Sequence, residues 1–477
     1  MIKQLIKGSA IYGMAPFVPK LLTVLLLPIL TKYLTSVDFG IIGTITSITL
    51  AVQAFQNLGL QAILSNYFYK CRCQYKIVWR EIYGFLSLWM IAYALIQTIL
   101  LYVFIPKEAE DNKWLIIILS NFSTVLFGPT SLIGHKYYQL NLKPSPVAVR
   151  IVLAGVTTIL VYFLCVVYFG LGYLGAYVGS FAGTFLMNLS YWPLVNMRLG
   201  LSPVYSFKIK TIKHILKIGL PIIPHQYSGY LMNSTNVVAM NFYAKPQALI
   251  GHLTMSQQIS GVFDGIINGI NQMFSPMEYE YIRDNKPEEI RKLMLTYAII
   301  TYAMTFLYCL WSREAYQILI SNDEIASTYK YSIFLVMALN YRPSYVYCCN
   351  YYIYHERTGK LLIITLVAGI ISCLFYFLFI PVIGIYAALI GFYIGCLYQG
   401  YSGYHYSLYK QCALYKPCWW KFLSIQLLLT LVVYLLVDIG LVWKIPLTLG
   451  FLSLVFMYFI LRVQRVCSHN LQVLRKG

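Results

Sequence analysis

The sequence predicts an all-α, polytopic transmembrane helical bundle, and three observations carry that prediction. Hydrophobic residues fill 59% of the 477 positions and charged residues only 11%, against roughly 25% charged in a soluble domain. Mean hydropathy is +0.66. Apolar stretches of about 20 residues, enough to cross a hydrocarbon core roughly 30 Å thick, recur from end to end and leave no room for a soluble domain.

Windows bounded by charged or Pro/Gly-rich loops give about fourteen spans. In order they run 9 to 33, 39 to 60, 82 to 105, 114 to 133, 146 to 168, 171 to 193, 214 to 241, 248 to 275, 293 to 311, 326 to 349, 361 to 380, 383 to 406, 420 to 440 and 444 to 461. The first is too long for the roughly 7 to 15 residue core of a signal peptide and lacks a small-residue cleavage pattern, so it is expected to remain as a span.

The loops alternate in charge. Lys70, Arg72, Lys76 and Arg80 follow the second span, Lys136, Lys143 and Arg150 the fourth, and Arg198, Lys208, Lys210, Lys213 and Lys217 the sixth. Opposite loops are short or acidic, as in Pro106-Lys107-Glu108-Ala109-Glu110-Asp111. Cytoplasmic loops hold the Lys/Arg excess, and about three quarters of the 36 fall on one side, so both termini are expected in the cytoplasm.

Six spans precede the longest basic linker, so span seven enters in the same direction as span one. The predicted organisation is a six-helix lobe over residues 1–193, a cytoplasmic linker over 194–213, a second six-helix lobe over 214–410, and two extra spans with a cytoplasmic tail over 411–477. Residues 31–40 and 241–248 both run from a helix through a tight turn into another helix. Parallel repeats of this kind place a substrate path between the two bundles.

A net charge of +20 can mark a nucleic-acid partner. Here the basic residues are scattered over short loops and build no continuous face, so no nucleic acid is expected. The eleven cysteines fall inside spans (Cys165, Cys309, Cys348, Cys349, Cys373, Cys396) or in basic loops (Cys71, Cys73, Cys412, Cys418, Cys467), which suits a reduced face and lipid rather than a disulfide framework. Cys71-Arg72-Cys73 lacks the second pair or neighbouring histidine of a metal site, and no metal or cofactor is expected. An enzyme would gather acids, bases or a nucleophile at a sizeable loop or cavity. The outer loops are short and hold no histidine except His252 at the mouth of span eight.

Polar groups inside a span are costly and therefore informative. On span eight, Gln257, Gly261, Asp264, Asn268 and Asn271 or Gln272 form one helical stripe, and on span seven His225, Gly229, Asn233 and Asn236 keep the same spacing. The stripes either line a wet cavity or act as polar glue between helices. Asp264 favours the cavity, because a carboxylate gains little from glue that an asparagine would not provide, and it is the one carboxylate read as well inside an apolar stretch.

Lys20 lies about 11 residues, or roughly 17 Å, into span one, and Arg342 precedes Pro343 where a kink would turn the guanidinium inward. These are the candidate cations for an anionic ligand, with Asn233, Asn236, Gln257 and Asn268 as further substrate-binding positions. The alternative is a structural pair of Arg342 with Asp264. Asp264 and His225 are the candidate ion-coupling groups. Tyrosine, with 44 copies, clusters at 341–354 and 398–409, mostly as expected interfacial belt residues. Tyr345 beside Arg342 is a candidate for stacking on a sugar.

The run Leu25-Leu26-Leu27-Pro28-Ile29-Leu30-Thr31-Lys32-Tyr33-Leu34-Thr35, ending in Asp38-Phe39-Gly40-Ile41, resembles the first-span signature of polysaccharide-biosynthesis flippases of the Wzx type. Lys217-Ile218-Gly219-Leu220-Pro221-Ile222-Ile223-Pro224-His225-Gln226, continuing to Asn233, resembles the start of their seventh span. Asn57-Leu58-Gly59-Leu60 and the loop from Tyr352 to Lys360 are similar to the same family. The family falls within the superfamily of multidrug, oligosaccharidyl-lipid and polysaccharide (MOP) exporters.

The resemblance implies two six-helix lobes and alternating access. It implies a substrate linked to undecaprenyl pyrophosphate, such as an O-antigen or capsule precursor, flipped across a bacterial inner membrane. Lys20 and Arg342 would hold the pyrophosphate, with H+ or Na+ coupling, and a polysaccharide polymerase or glycosyltransferases would be partners. Many relatives carry an Asp-Arg pair in mid span seven where this chain has Asn236-Val237, so any role of that pair falls here to uncharged groups. The rivals on the same scaffold are a drug or cation exporter and a lipid II flippase. Such exporters generally have a membrane-embedded carboxylate in the first lobe, and spans one to six hold no Asp or Glu well inside the membrane.

Overall fold

The computed structural model describes residues 15, 17–70, 74–205, 212–213, 216–217, 219–220 and 223–474. Cys71-Arg72-Cys73, Lys208, Lys210, Pro221 and the side chain of His225 lie outside the described residues. Among those described, the regular structure is entirely helical.

The first half holds α1 (Phe17–Tyr33), α2 (Ser36–Gln56), α3 (Gln61–Lys70), α4 (Tyr75–Phe104), α5 (Lys113–Leu140), α6 (Pro144–Val167) and α7 (Leu174–Trp192). The second holds α8 (Ile223–Asn233), α9 (Thr235–Phe242), α10 (Gln247–Arg283), α11 (Pro287–Leu310), α12 (Ser312–Leu319), α13 (Asp323–Ala326), α14 (Tyr329–Ala338), α15 (Arg342–Tyr354), α16 (Thr358–Ile383), α17 (Ile385–Tyr401) and α18 (Ser407–Cys412). Two further helices follow, α19 (Trp419–Leu436) and α20 (Leu441–Leu474).

Seven described helical stretches are long and apolar enough to cross a membrane on length and composition alone. The chain is a multi-pass membrane protein. Two other expected spans are broken. Span seven divides at Ser234 between α8 and α9, and span ten divides at a 3-10 turn, Leu339–Tyr341, that delivers Arg342 as the first residue of α15. Span eight is longer than expected, because α10 continues through Pro276 to Arg283.

Within the first half α5, α6 and α7 pack together and α1 lies on α6, while in the second α8 and α17 flank α16 and α14 packs on α10. The two halves meet chiefly where α2 crosses α10. That crossing is reciprocal. A Cβ on Gly40 would stand 2.0 Å from the Gln247 carbonyl oxygen, and a Cβ on Gly251 would stand 1.8 Å from that of Ser36. Each contact joins the first residue of one helix to the fifth of the other, which is the geometry expected when two like-oriented repeats cross through small residues. Helix starts agree with this: a Thr35–Asp38 capping box opens α2, and Pro246 opens α10.

At the opposite end the halves touch again. Gly59, at φ +68°, lies so close to Gly219 that a Cβ would meet the Gly219 carbonyl oxygen at 2.2 Å. Two of the family-like segments, around Asn57–Leu60 and Lys217–Leu220, therefore meet in space.

The tyrosine expectation is corrected. Tyr341, Tyr347, Tyr351, Tyr352, Tyr401, Tyr404 and Tyr409 are buried in the second half rather than spread along an interface. Three of their hydroxyls donate to backbone carbonyls of other segments: Tyr404 to Ser344 (2.9 Å), Tyr352 to Gly403 (2.9 Å) and Tyr347 to Tyr415 (2.6 Å). A phenol fills apolar space and satisfies a backbone acceptor with the same side chain.

Candidate functional site

The α10 stripe is the spine of the site. At 1.5 Å per residue, Gln257 lies about 15 Å and Asp264 about 26 Å from the helix start. Opposite them the break in span ten presents Arg342, and the break at Ser234 opens backbone and side-chain polar groups of α8. Between these elements lies a cavity of about 460 Å³ lined by Asn233, Gln257, Gly261, Asp264, Tyr341, Arg342 and Tyr345 among others.

Arg342 and Asp264 form an ion pair, with Arg342 Nη2 donating to Asp264 Oδ1 at 2.5 Å. Asn268 Nδ2 donates to the other carboxylate oxygen at 3.1 Å. The Arg342 guanidinium also lies 5.2 Å from the centre of the Tyr341 ring, a cation–π contact. Its Nε has no partner among the described residues. Both side chains of the pair remain partly exposed to the cavity, at 22% and 33%. The guanidinium is thus oriented by one carboxylate and one ring while keeping donor capacity in reserve.

The structure separates the sequence-selected residues. Asn233, Gln257, Asp264 and Arg342 line the central cavity. Lys20 lines a neighbouring one of about 340 Å³ with Tyr162, and the two cavities share Gln257 and Gly261. Asn236 is fully buried behind the wall, where its Oδ1 accepts from Gln257 Nε2 at 3.2 Å. Gln257 also donates to the Asn233 carbonyl at 2.9 Å. Cavity and glue are both present, on different faces of the same stripes.

Sequence reasoning missed Glu278, so Asp264 is not the one carboxylate buried along this helix. Glu278 is 5% exposed, accepts from Asn350 Nδ2 at 2.8 Å through Oε2, and has no partner on Oε1 among the described residues. Asn350 donates to Ser275 Oγ (3.1 Å) and accepts from the Tyr279 hydroxyl (3.2 Å). The signal was present, since Asn271, Ser275 and Glu278 continue the stripe at i+4 and i+3. A second missed pair joins Lys444, fully buried on α20, to Glu314 on α12 at 2.7 and 2.8 Å.

A polytopic helical bundle with a charge-lined cavity built from broken helices is the architecture of a membrane transporter or flippase. The model of the polysaccharide biosynthesis protein family matches residues 5–278, and the chain belongs to that family. No curated protein sequence matches it significantly. Among solved structures it is similar to the lipid II flippase MurJ in an inward closed conformation, with TM-score 0.65 and 16% identity over 91% of this chain and 98% of that one. It is similar to an inward-facing multidrug resistance MATE family transporter of the MOP superfamily, with TM-score 0.58 and 14% identity over 88% and 95%. A third is a MOP superfamily transporter from Pyrococcus furiosus whose binding pocket is described as reversed in polarity, with TM-score 0.53 and 15% identity over 84% and 94%. At these identities the likeness is one of fold, and the fold is that of transporters and flippases, not of enzymes.

Proposed function

We propose that the chain flips an undecaprenyl-pyrophosphate-linked oligosaccharide from the cytoplasmic to the periplasmic leaflet of a bacterial inner membrane. Alternating access would occur between lobes at 1–193 and 214–410, with both termini in the cytoplasm. The observation that carries this reading is the composition of the central cavity. A lipid-linked glycan must pass a polyhydroxyl head and an anionic pyrophosphate together while its chain stays in lipid. Amides of Asn233 and Gln257 suit hydroxyls, the Tyr345 ring suits a sugar face, and Arg342 suits phosphate oxygens.

In this scheme the pyrophosphate competes with Asp264 for Arg342. Asp264, steadied by Asn268, is then released to take up H+ or Na+, with His225 as a second candidate for that role. Lys20 serves the same anion from the adjoining cavity, and Asn236 holds Gln257 in place. A drug or cation exporter fits less well, because the sole carboxylate lining the central cavity is already paired with Arg342. A lipid II flippase is the second reading, favoured by the fold shared with MurJ. A conditional cell-wall lysis phenotype on depletion would select it.

The test is mutational. Lys20→Ala and Arg342→Ala are expected to accumulate as folded protein, abolish surface glycan and leave lipid-linked oligosaccharide on the cytoplasmic leaflet. Lys20→Arg should keep partial function. Normal export by the double alanine variant would refute the anion-binding role, and loss of the protein itself would assign Arg342 to structure.

A further inference from the structure

A second polar hollow lies in the first half, away from the Arg342–Asp264 pair. It measures about 390 Å³ and is lined by Gln56, Asn57, Gln61, His135, Lys136 and Asn188, with Gln139 at its edge. These residues are contributed by the end of α2, the start of α3, the last turns of α5 and the last turns of α7. All six are half-buried. The Gln56 amide lies against Gly128, where an added Cβ would stand 3.7 Å from its Nε2. Lys136 Nζ donates to Gln139 Oε1 at 2.9 Å, a neutral partner that leaves its charge uncompensated.

The chemistry of this lining is one-sided. It presents an ammonium, an imidazole that offers an N–H in either tautomer, and a ring of side-chain amides. Among the described residues it includes no carboxylate and no Phe, Tyr or Trp ring. The central cavity, with Asp264 and its tyrosines, has both. A site meant for neutral sugar would gain from stacking rings, and a site meant for a cation would need a carboxylate. Donors around an uncompensated positive charge suit an anion.

Position adds the second argument. An intermediate hollow of about 420 Å³ shares Gln56 and Asn57 with this one and shares Gly229 and Ser234 with the central cavity. A chain of hollows that share lining residues therefore runs from Lys136 in the first half to Arg342 in the second.

We infer that the hollow around Lys136 and His135 is an anion-binding subsite that takes the phosphate or pyrophosphate group of the carrier lipid before it reaches the central cavity. The inference rests on the reading of the chain as a flippase of such lipids. Lys136 supplies the charge, His135 a second donor, and the amides the remaining hydrogen bonds to phosphate oxygens.

Binding to full-length protein in nanodiscs tests it separately from transport. One arm dopes the lipid with undecaprenyl pyrophosphate, and the other adds inorganic pyrophosphate to the buffer. A charge-assisted hydrogen bond is worth about 1.5 to 3 kcal/mol, so Lys136→Gln is expected to weaken binding about ten- to a hundred-fold. Lys136→Arg should stay within a few-fold of the parent, and His135→Gln should lose a smaller factor. Loss in both arms assigns recognition to the phosphate group itself, and loss in the lipid arm alone assigns it to the membrane-anchored headgroup; either supports the subsite. Unchanged affinity in folded Lys136→Gln and His135→Gln, or no binding of either probe to the parent, overturns it. If Lys20→Ala/Arg342→Ala exports glycan normally while Lys136→Gln still loses pyrophosphate binding, the anion-binding role of Lys20 and Arg342 fails and the subsite stands; if depletion of the protein leaves surface glycan unaltered while that binding loss persists, the transport reading fails and the subsite stands.

Discussion

The reciprocal crossing of α2 and α10 makes a prediction whose size can be worked from the structure. A Cβ at Gly251 would lie 1.8 Å from the Ser36 carbonyl oxygen and 3.0 Å from the Gly40 nitrogen. Ordinary carbon–oxygen contact begins near 3.4 Å, so Gly251→Ala requires the helices to part by about 1.6 Å at that point. Backbone atoms cannot rotate aside as a side chain would. Overpacking of this kind costs about 1 to 3 kcal/mol. Alanine returns about 1 kcal/mol through its better helix propensity. The net, up to about 2 kcal/mol against the packed arrangement, shifts a two-state balance up to about 30-fold toward a state in which this end is open.

Gly261 reports the shift, because it lines both central cavities and has nothing within 4 Å of an added Cβ. In a background with the eleven native cysteines replaced, Gly261→Cys would be labelled with an impermeant maleimide from the face where α2 and α10 begin. Gly251→Ala is expected to raise the labelling rate by up to about thirty-fold, and Gly251→Val further. Gly450→Ala, where the new Cβ meets open space, should leave it unchanged. An unaltered rate in folded Gly251→Val would refute the idea that this crossing holds that end shut.

Three further outcomes follow from buried or bridging groups. Lys444→Ala strands the Glu314 carboxylate against α20, and breaking a buried pair costs about 3 to 5 kcal/mol; thermal melting in detergent should fall sharply, and the double variant Lys444→Met/Glu314→Met should recover most of the loss. Asn350→Ala leaves the buried Glu278 carboxylate without its hydrogen-bond donor, at about 1 to 3 kcal/mol for a polar group left unsatisfied; a melting temperature equal to the parent's would contradict the network. Asp438, in the turn between α19 and α20, is held below the ordinary carboxylate range by hydrogen bonds from Lys330, at 2.6 Å, and from Tyr329. Its contribution is therefore present above the unfolded value of 3.8 and lost as pH falls through the lowered one, so Asp438→Asn should flatten the acid limb of the stability profile by a small amount.

The fold class was legible because lipid imposes it. Every backbone group in a bilayer must be satisfied within its own helix, so length and hydropathy are close to the whole signal. The stripes on spans seven and eight were legible for a related reason, since helical periodicity shows which residues share a face. What periodicity cannot show is which side of that face meets a cavity. Gln257 and Asn236 belong to stripes of the same spacing, yet the first borders both cavities and the second is sealed behind it. The break at Ser234 lies between Asn233, which lines the central cavity, and Asn236, which does not, and no hydropathy window resolves it.

Glu278 was hidden by a local rule applied too strictly. Proline at 276 and the charges beyond it read as the end of a span, but a proline near the end of a long helix removes one hydrogen bond and need not stop it. Once α10 is allowed to reach Arg283, the stripe runs from Gln257 to Glu278 on one rod, about 32 Å long at 1.5 Å per residue. One rod then bears, in sequence, the Gly251 contact with the first half, the Gln257 wall, the Asp264–Arg342 pair and the Glu278–Asn350 cluster. A displacement of α10 that relieves or tightens any one of these must move the others. The helix that meets the first half at the Gly251 crossing is thus the same helix that carries the cavity's charge, so a ligand that displaced the Asp264–Arg342 pair would bear directly on that crossing.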